Sequence, residues 1–221
     1  VTKVVIIGAG GFAREVQDVI RNCNAAYGNN YQFMGFVDDF APVGKYLNGF
    51  PVLGDFNWFD TPQAEGVLAT VGVGAPEVRR KLVNRLIERG VDFVTLIDPS
   101  VIKSPFVFFG KGVVICPGVI LTNNITLGDH VHLNLDCTVG HDAVMEDFTT
   151  TAPGAHINGN NLLKEGVYIG TGVNFNEKIT VGEWAVIGSG ACVVRDIPAN
   201  TTAVGCPAKI IKTREEGWHL K

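Results

Sequence analysis

The chain has 221 residues, 46% hydrophobic and 18% charged, with a formal net charge of −4 and no block of Lys or Arg, which supplies core for one large or two small domains and argues against a nucleic-acid footprint. Its five cysteines (Cys23, Cys116, Cys137, Cys192 and Cys206) are odd in number and lack CxxC spacing, so they read as small buried residues in a reducing cytosol, with no disulfide framework and no zinc site. The opening "VTKVVIIG" has no signal-peptide pattern and no apolar run reaches membrane-spanning length, so the expectation is a soluble cytoplasmic protein.

Residues 1 to about 98 alternate strand-like and helix-like stretches. "KVVIIGAG" reads as a buried strand, and "GFAREVQDVIRN" carries Phe12, Val16, Val19 and Ile20 at helical spacing. "YQFMGFVDD" and "GVLATVGVG" are further strands, "APEVRRKLVNRLIERG" is a helix stopped by Gly90, and "DFVTLIDP" closes the half. This βαβ rhythm implies a small Rossmann-like parallel sheet covered by helices. The loop "GAGGFA", with Gly8, Gly10, Gly11 and Phe12, fits a strand–loop–helix cradle for phosphate, and Asp38 and Asp39 end the second strand where a carboxylate can take nucleoside hydroxyls. The half is too short for the paired mononucleotide units of a full dinucleotide fold.

From Val101 the period changes. Every sixth residue from Val101 to Ala203 is a small or β-branched apolar residue, except Thr149 and Asn161. Two places further on, the same comb returns larger apolar residues, among them Ile115, Leu121, Leu133, Met145, Ile169 and Ile187. Such a repeat predicts a parallel β-helix, each hexad giving one short strand and one turn and three hexads one triangular coil. Residues 18 apart then stack at about the 4.8 Å strand spacing, over about six coils. The expected division is a Rossmann-like half over 1–98, a β-helix over 99–210 and a tail over 211–221.

The register lines up three corner columns. The first contains Asn123-Asn124, His141-Asp142, Gly159-Asn160 and Glu177-Lys178; the second contains Asp129-His130, Asp147-Phe148 and Glu183-Trp184. The third, with Gly154, Thr171-Gly172 and Ser189-Gly190, is rich in glycine and open to close approach by a ligand. His141 beside Asp142, with the small Gly159 one coil along, has the parts for general-base acyl transfer; a pair of polar turn residues is the plain alternative. His130 beside Asp129 is a second candidate. His132 and His156 occupy outward-facing strand positions and His219 lies in the tail, so all three are expected at the surface.

With "GAGGFAREV" at the start, "GHD" at residues 140–142 and "VGCPAK" at 204–209, the chain resembles the left-handed β-helix acyltransferases of bacterial nucleotide-sugar metabolism. These enzymes N-acetylate amino sugars, and relatives O-acetylate sialic acid. The resemblance implies acetyl-CoA as donor, no metal, and a homotrimer with active sites between subunits. It implies His141 as general base, Asp142 as its orienting partner, and the Gly159 N–H on the thioester carbonyl. It places Thr171 and Ser189 along the pantetheine arm and Gly205 and Lys209 toward the adenine end. Asn134 falls near the acceptor sugar, as does Thr150, which stands where many relatives have a second histidine. The function implied is acetyl transfer to the amine of a nucleotide-linked amino-deoxy sugar for bacterial surface glycan synthesis. O-acetylation of a sialic-acid-like sugar and a non-catalytic assembly role are the competing readings.

Overall fold

The computed structural model describes residues 1–220. Its first part is built on β1 (Thr2–Ile7), whose last four residues are buried. Helix α1 (Gly11–Tyr27) lays Ala13, Val16, Val19, Ile20 and Cys23 on the sheet, the i, i+3, i+4, i+7 stripe of an amphipathic helix. Next come β2 (Tyr31–Val37), β3 (Tyr46–Leu47), β4 (Phe50–Gly54), β5 (Leu68–Val71) and α2 (Pro76–Ile87). The sheet order is β3-β4-β2-β1-β5, parallel except for the β3–β4 hairpin. The hairpin is absent from the sequence reading, because Pro51 and the flanking Gly49 and Gly54 break the signature of a strand.

The segment "DFVTLIDP" does not close this half. Phe93 bridges Ala69 of the first sheet, and two residues after Val94 the strand Leu96–Ile97 already pairs with Val114–Ile115 in the β-helix. The 18-residue register then holds through the helix: Ile120 pairs with Thr138, Thr138 with His156 and Asn174 with Cys192. Three parallel sheets form the prism, the largest ending in an antiparallel hairpin of Thr201–Val204 and Lys209–Thr213. Both apolar combs fill the interior, a single core running from Val107 to Ala208. The two polar members of the first comb are buried with their bonds made. Thr149 Oγ1 donates to the carbonyls of Glu146 and Lys164, and Asn161 donates to those of Asn158 and Asn176 while accepting from the Ile179 N–H.

One outer sheet of the prism is the floor on which the first half sits. Val114 and Cys116 share a core with α1, and Phe148 and Trp184 share another with α2. Arg79 crosses this seam from α2 and is fully buried. Its guanidinium donates to the carbonyls of Val73 and Gly74 in its own half, and to those of His130, Phe148 and Thr149 and the Thr150 hydroxyl in the β-helix. Burial pulls its pKa down to about 9, which leaves it charged at neutral pH. The C-terminal tail is also docked: His219 is half-buried and stacks on Trp184 at 3.9 Å between ring centres.

Two outcomes follow. Ile187→Asp puts an unpaired carboxylate in the dry prism and should give insoluble protein on expression; a soluble, native-sized variant would overturn the register. Arg79→Met removes the donor from six acceptors, four of them buried, a loss of about 3 kcal/mol or more. Thermal unfolding should show a midpoint lower by on the order of 10 °C.

Candidate active site

In the β-helix corners from Gly112 to Gly190 the second residue takes the left-handed conformation: Asn124, Asp142, Asn160 and Lys178 in the first column, at φ of 53 to 62°. In the same column the second residue donates its N–H to the carbonyl of the first residue one coil back, as from Asp142 to Asn123, Asn160 to His141 and Lys178 to Gly159. That ladder does not use the Gly159 N–H. His141 and Asp142 are both exposed, and His141 Nδ1 lies 2.8 Å from Asp142 Oδ2. Asn124 Nδ2 donates to the other Asp142 oxygen at 3.3 Å. The His141 hydrogen bond, and secondarily that of Asn124, hold the Asp142 carboxyl below its ordinary range. With Nδ1 taken by Asp142, Nε2 is the nitrogen left for proton transfer.

Gly159 is required by this geometry. A Cβ on it would stand 2.6 to 3.0 Å from three atoms of the His141 ring, so any larger residue displaces the imidazole. Asn124 is the member of the group that sequence reasoning missed, although the column of corners placed it directly above Asp142.

The other histidines separate clearly. His130 is buried, edge-on to Phe93 at 4.5 Å and stacked on Phe148 at 5.2 Å. Burial first, and the Arg79 charge second, push its pKa down to about 4, so it is a neutral packing residue sealed from substrate. His132 points outward from its sheet as the period requires, but the first half covers that sheet and leaves it 1% exposed. This corrects the surface expectation; the outward face of the prism is an interior face of the whole chain. His156 is exposed and pairs with Thr138 at 3.0 Å.

The glycine loop is open where the sequence reading needs it to be. Nothing lies within 4 Å of a Cβ built on Gly10 or Gly11, and Gly10 caps α1 with no side-chain bond to the first-turn N–H groups. Gly8, at φ 97°, turns the chain between strand and loop. Asp38 shapes the loop: one oxygen accepts from the Ala9 N–H at 2.8 Å, the other from the Phe40 and Ala41 N–H groups.

Three residues expected on the acceptor side have partners within the chain. Asp39 is committed to Arg85 and to the Phe56 N–H, which is a scaffold role. Phe12 turns its ring to His132, 5.4 Å away, and fastens the loop to the β-helix. Thr150 is buried and accepts from Arg79 at 2.7 Å, so it contributes to the seam and does not face a ligand. Asn134 is half-buried and accepts from its neighbour's N–H at 2.8 Å.

The third corner and the terminal turn are open as well. A Cβ on Gly154, Gly172 or Gly190 would meet nothing within 4 Å, and Thr171, Ser189, Gly205 and Lys209 are exposed. Among the described residues no group of three or more His, Cys, Asp or Glu could hold a metal ion, and no helix is long and apolar enough to cross a membrane.

Known proteins bring this geometry into focus. The PglD N-terminal domain family matches residues 3–86. GDP-perosamine N-acetyltransferase of Escherichia coli O157:H7 is 30% identical over 94% of this chain and 95% of its own. The acetyltransferase domain of PglB from Neisseria gonorrhoeae FA1090, solved with acetyl coenzyme A, is 33% identical with a TM-score of 0.86, over 95% of this chain and 98% of that one. PerB from Caulobacter crescentus, solved with CoA and GDP-perosamine, is 30% identical with a TM-score of 0.87, over 96% and 98%. The likeness spans both halves and the seam between them, and the chain belongs to the family of left-handed β-helix sugar N-acetyltransferases that use acetyl-CoA.

Proposed function

We propose that this chain acetylates the amine of a nucleotide-linked amino-deoxy sugar, with His141 as general base and the glycine loop as the seat of the nucleotide diphosphate. The observation that carries the reading is the exposed His141–Asp142 pair at 2.8 Å, seated over a glycine that admits no side chain. The amine nitrogen attacks the thioester carbonyl carbon, and the oxyanion forms beside the Gly159 N–H. His141 Nε2 takes the proton lost from nitrogen and returns it to the departing CoA thiolate. The products are the N-acetyl sugar and free CoA thiol. Asp142 keeps the imidazole in the tautomer that this transfer needs, and Asn124 fixes Asp142. Thr171 and Ser189 on the open third corner flank the pantetheine arm, and Gly205 and Lys209 meet the adenine end. The first-turn N–H groups of α1 favour the acceptor's phosphates, and Asn134 lies on the sugar side. The relatives solved with CoA, acetyl-CoA or GDP-perosamine support both ligand classes, and cytoplasmic placement suits both.

The acceptor and the base do not meet within one chain. The first half covers the sheet that carries His132 and Thr150, whereas His141 stands on the opposite edge of the prism, between the sheets of Thr138–Val139 and Val144–Met145. A prism side of about five residues spans roughly 15 Å, so an acceptor on the glycine loop needs His141 from a neighbouring copy. A trimer with clefts between subunits supplies it.

His141→Ala should lower kcat by on the order of a hundredfold or more with acetyl-CoA binding little changed; near-normal turnover would remove His141 from the mechanism. Gly11→Val tests the loop. Its side chain enters open space, so the fold survives while backbone approach to the diphosphate is blocked. Two-substrate kinetics with GDP-, UDP- and dTDP-linked amino sugars should show a raised acceptor KM and an unchanged acetyl-CoA KM. The opposite pattern would assign the loop to the donor.

A further inference from the structure

Three of the five cysteines are sealed: Cys23, Cys116 and Cys137 are buried, and burial pushes the Cys116 thiol up to about 12. The other two stand together at the surface. Cys192 ends the outward-facing column of Ile102, Ile120, Thr138, His156, Asn174 and Cys192. Beyond Cys192 there is no further coil. The terminal turn takes its place: the Cys192 N–H donates to the Gly205 carbonyl at 3.0 Å, and the Ala208 N–H donates to the Cys192 carbonyl at 2.8 Å. Cys206 lies between those two contacts, exposed and alongside the partly exposed Cys192. The neighbouring Cys206 thiol raises the Cys192 pKa, and Cys206 is the more exposed of the two, so Cys206 is the sulfur that meets a small disulfide first. An exposed nucleophilic sulfur beside a resolving thiol is the arrangement of redox-sensing cysteines.

We propose that Cys192 and Cys206 form a redox-active dithiol, which low-molecular-weight disulfides close into an intrachain bridge that lowers affinity for acetyl-CoA. The Cys206 thiolate attacks a sulfur of the small disulfide and releases one thiolate. Cys192 then attacks the Cys206 sulfur of the mixed disulfide and releases the second. The two protons of the cysteines end on the two small thiols, the protein loses two electrons, and the small disulfide gains them. The effect on acetyl-CoA rests on the reading of Gly205 and Lys209 as its adenine end: the bridge draws Cys206 onto the last strand and reshapes the exposed turn that carries both residues.

The test equilibrates the full-length protein in glutathione buffers of graded redox ratio, followed by alkylation, peptide mass mapping and acetyl-CoA kinetics. The expected result is a Cys192–Cys206 bridge two hydrogens lighter than the dithiol, an acetyl-CoA KM raised at least threefold, and full reversal by dithiothreitol. Cys192→Ser should stop at a glutathione adduct on Cys206, and Cys206→Ser should not react, each compared with its own reduced form. A persistent adduct in the unmodified chain, a bridge between copies, or a bridge that leaves KM unmoved would overturn the proposal. Lys209→Ala under reducing conditions reads the CoA placement separately: if it leaves the acetyl-CoA KM unchanged, that reading fails whether or not the bridge forms.

Discussion

The guanidinium of Arg79 sits at the centre of the fold, with no carboxylate among its hydrogen-bond partners and a complete set of carbonyl and hydroxyl acceptors. A buried charge is tolerated only where its donors are satisfied, and these acceptors come from both halves of the chain. Neither half alone provides them: Val73 and Gly74 lie in the loop between β5 and α2, while His130, Phe148, Thr149 and Thr150 belong to successive coils. The orientation of the first half on the prism is therefore fixed by these bonds. The glycine loop inherits that fixed position through Phe12 against His132. The ion pair of Arg80 with Glu165, 2.8 Å across the same seam and partly exposed, adds little beside it.

The second corner supports this arrangement at a conformational cost. His130, Phe148 and Trp184 are bulky residues held at φ of 57 to 60°, a region that L-residues visit rarely. Each gains a large packing surface in return: His130 between Phe93 and Phe148, and Trp184 under His219 with Arg80 above the ring. The same left-handed turn recurs on the first corner, where Asp142 adopts φ 59°. There it turns the carboxylate back to His141 Nδ1, so the repeat geometry that builds the prism also builds the candidate base. On the third corner Gly154, Gly172 and Gly190 take the left-handed position, and that stretch of the edge is left open.

Much of this was legible without coordinates because a β-helix is nearly one-dimensional. Its contacts lie 18 residues apart by the strand spacing alone, so the interior combs, the columns and the juxtaposition of His141 with Gly159 could be written down from the repeat. Asn124 was within reach of the same reasoning. Arg79 also left a trace: it occupies the core-facing phase of α2 with Pro76, Val83 and Leu86, a place where arginine calls for buried acceptors.

The repeat thus determined the prism, its register and the residues on each corner, because short-range strand stacking depends on sequence separation and little else. Tertiary structure decided what covers the prism. His132 has the pattern of a surface residue and is sealed because another part of the chain lies on that sheet; Thr150 and Asp39 look like ligand contacts and are taken by Arg79 and Arg85. Docking of two apolar faces depends on shape and on the sum of desolvated area across distant segments, and periodicity within either segment carries no information about it.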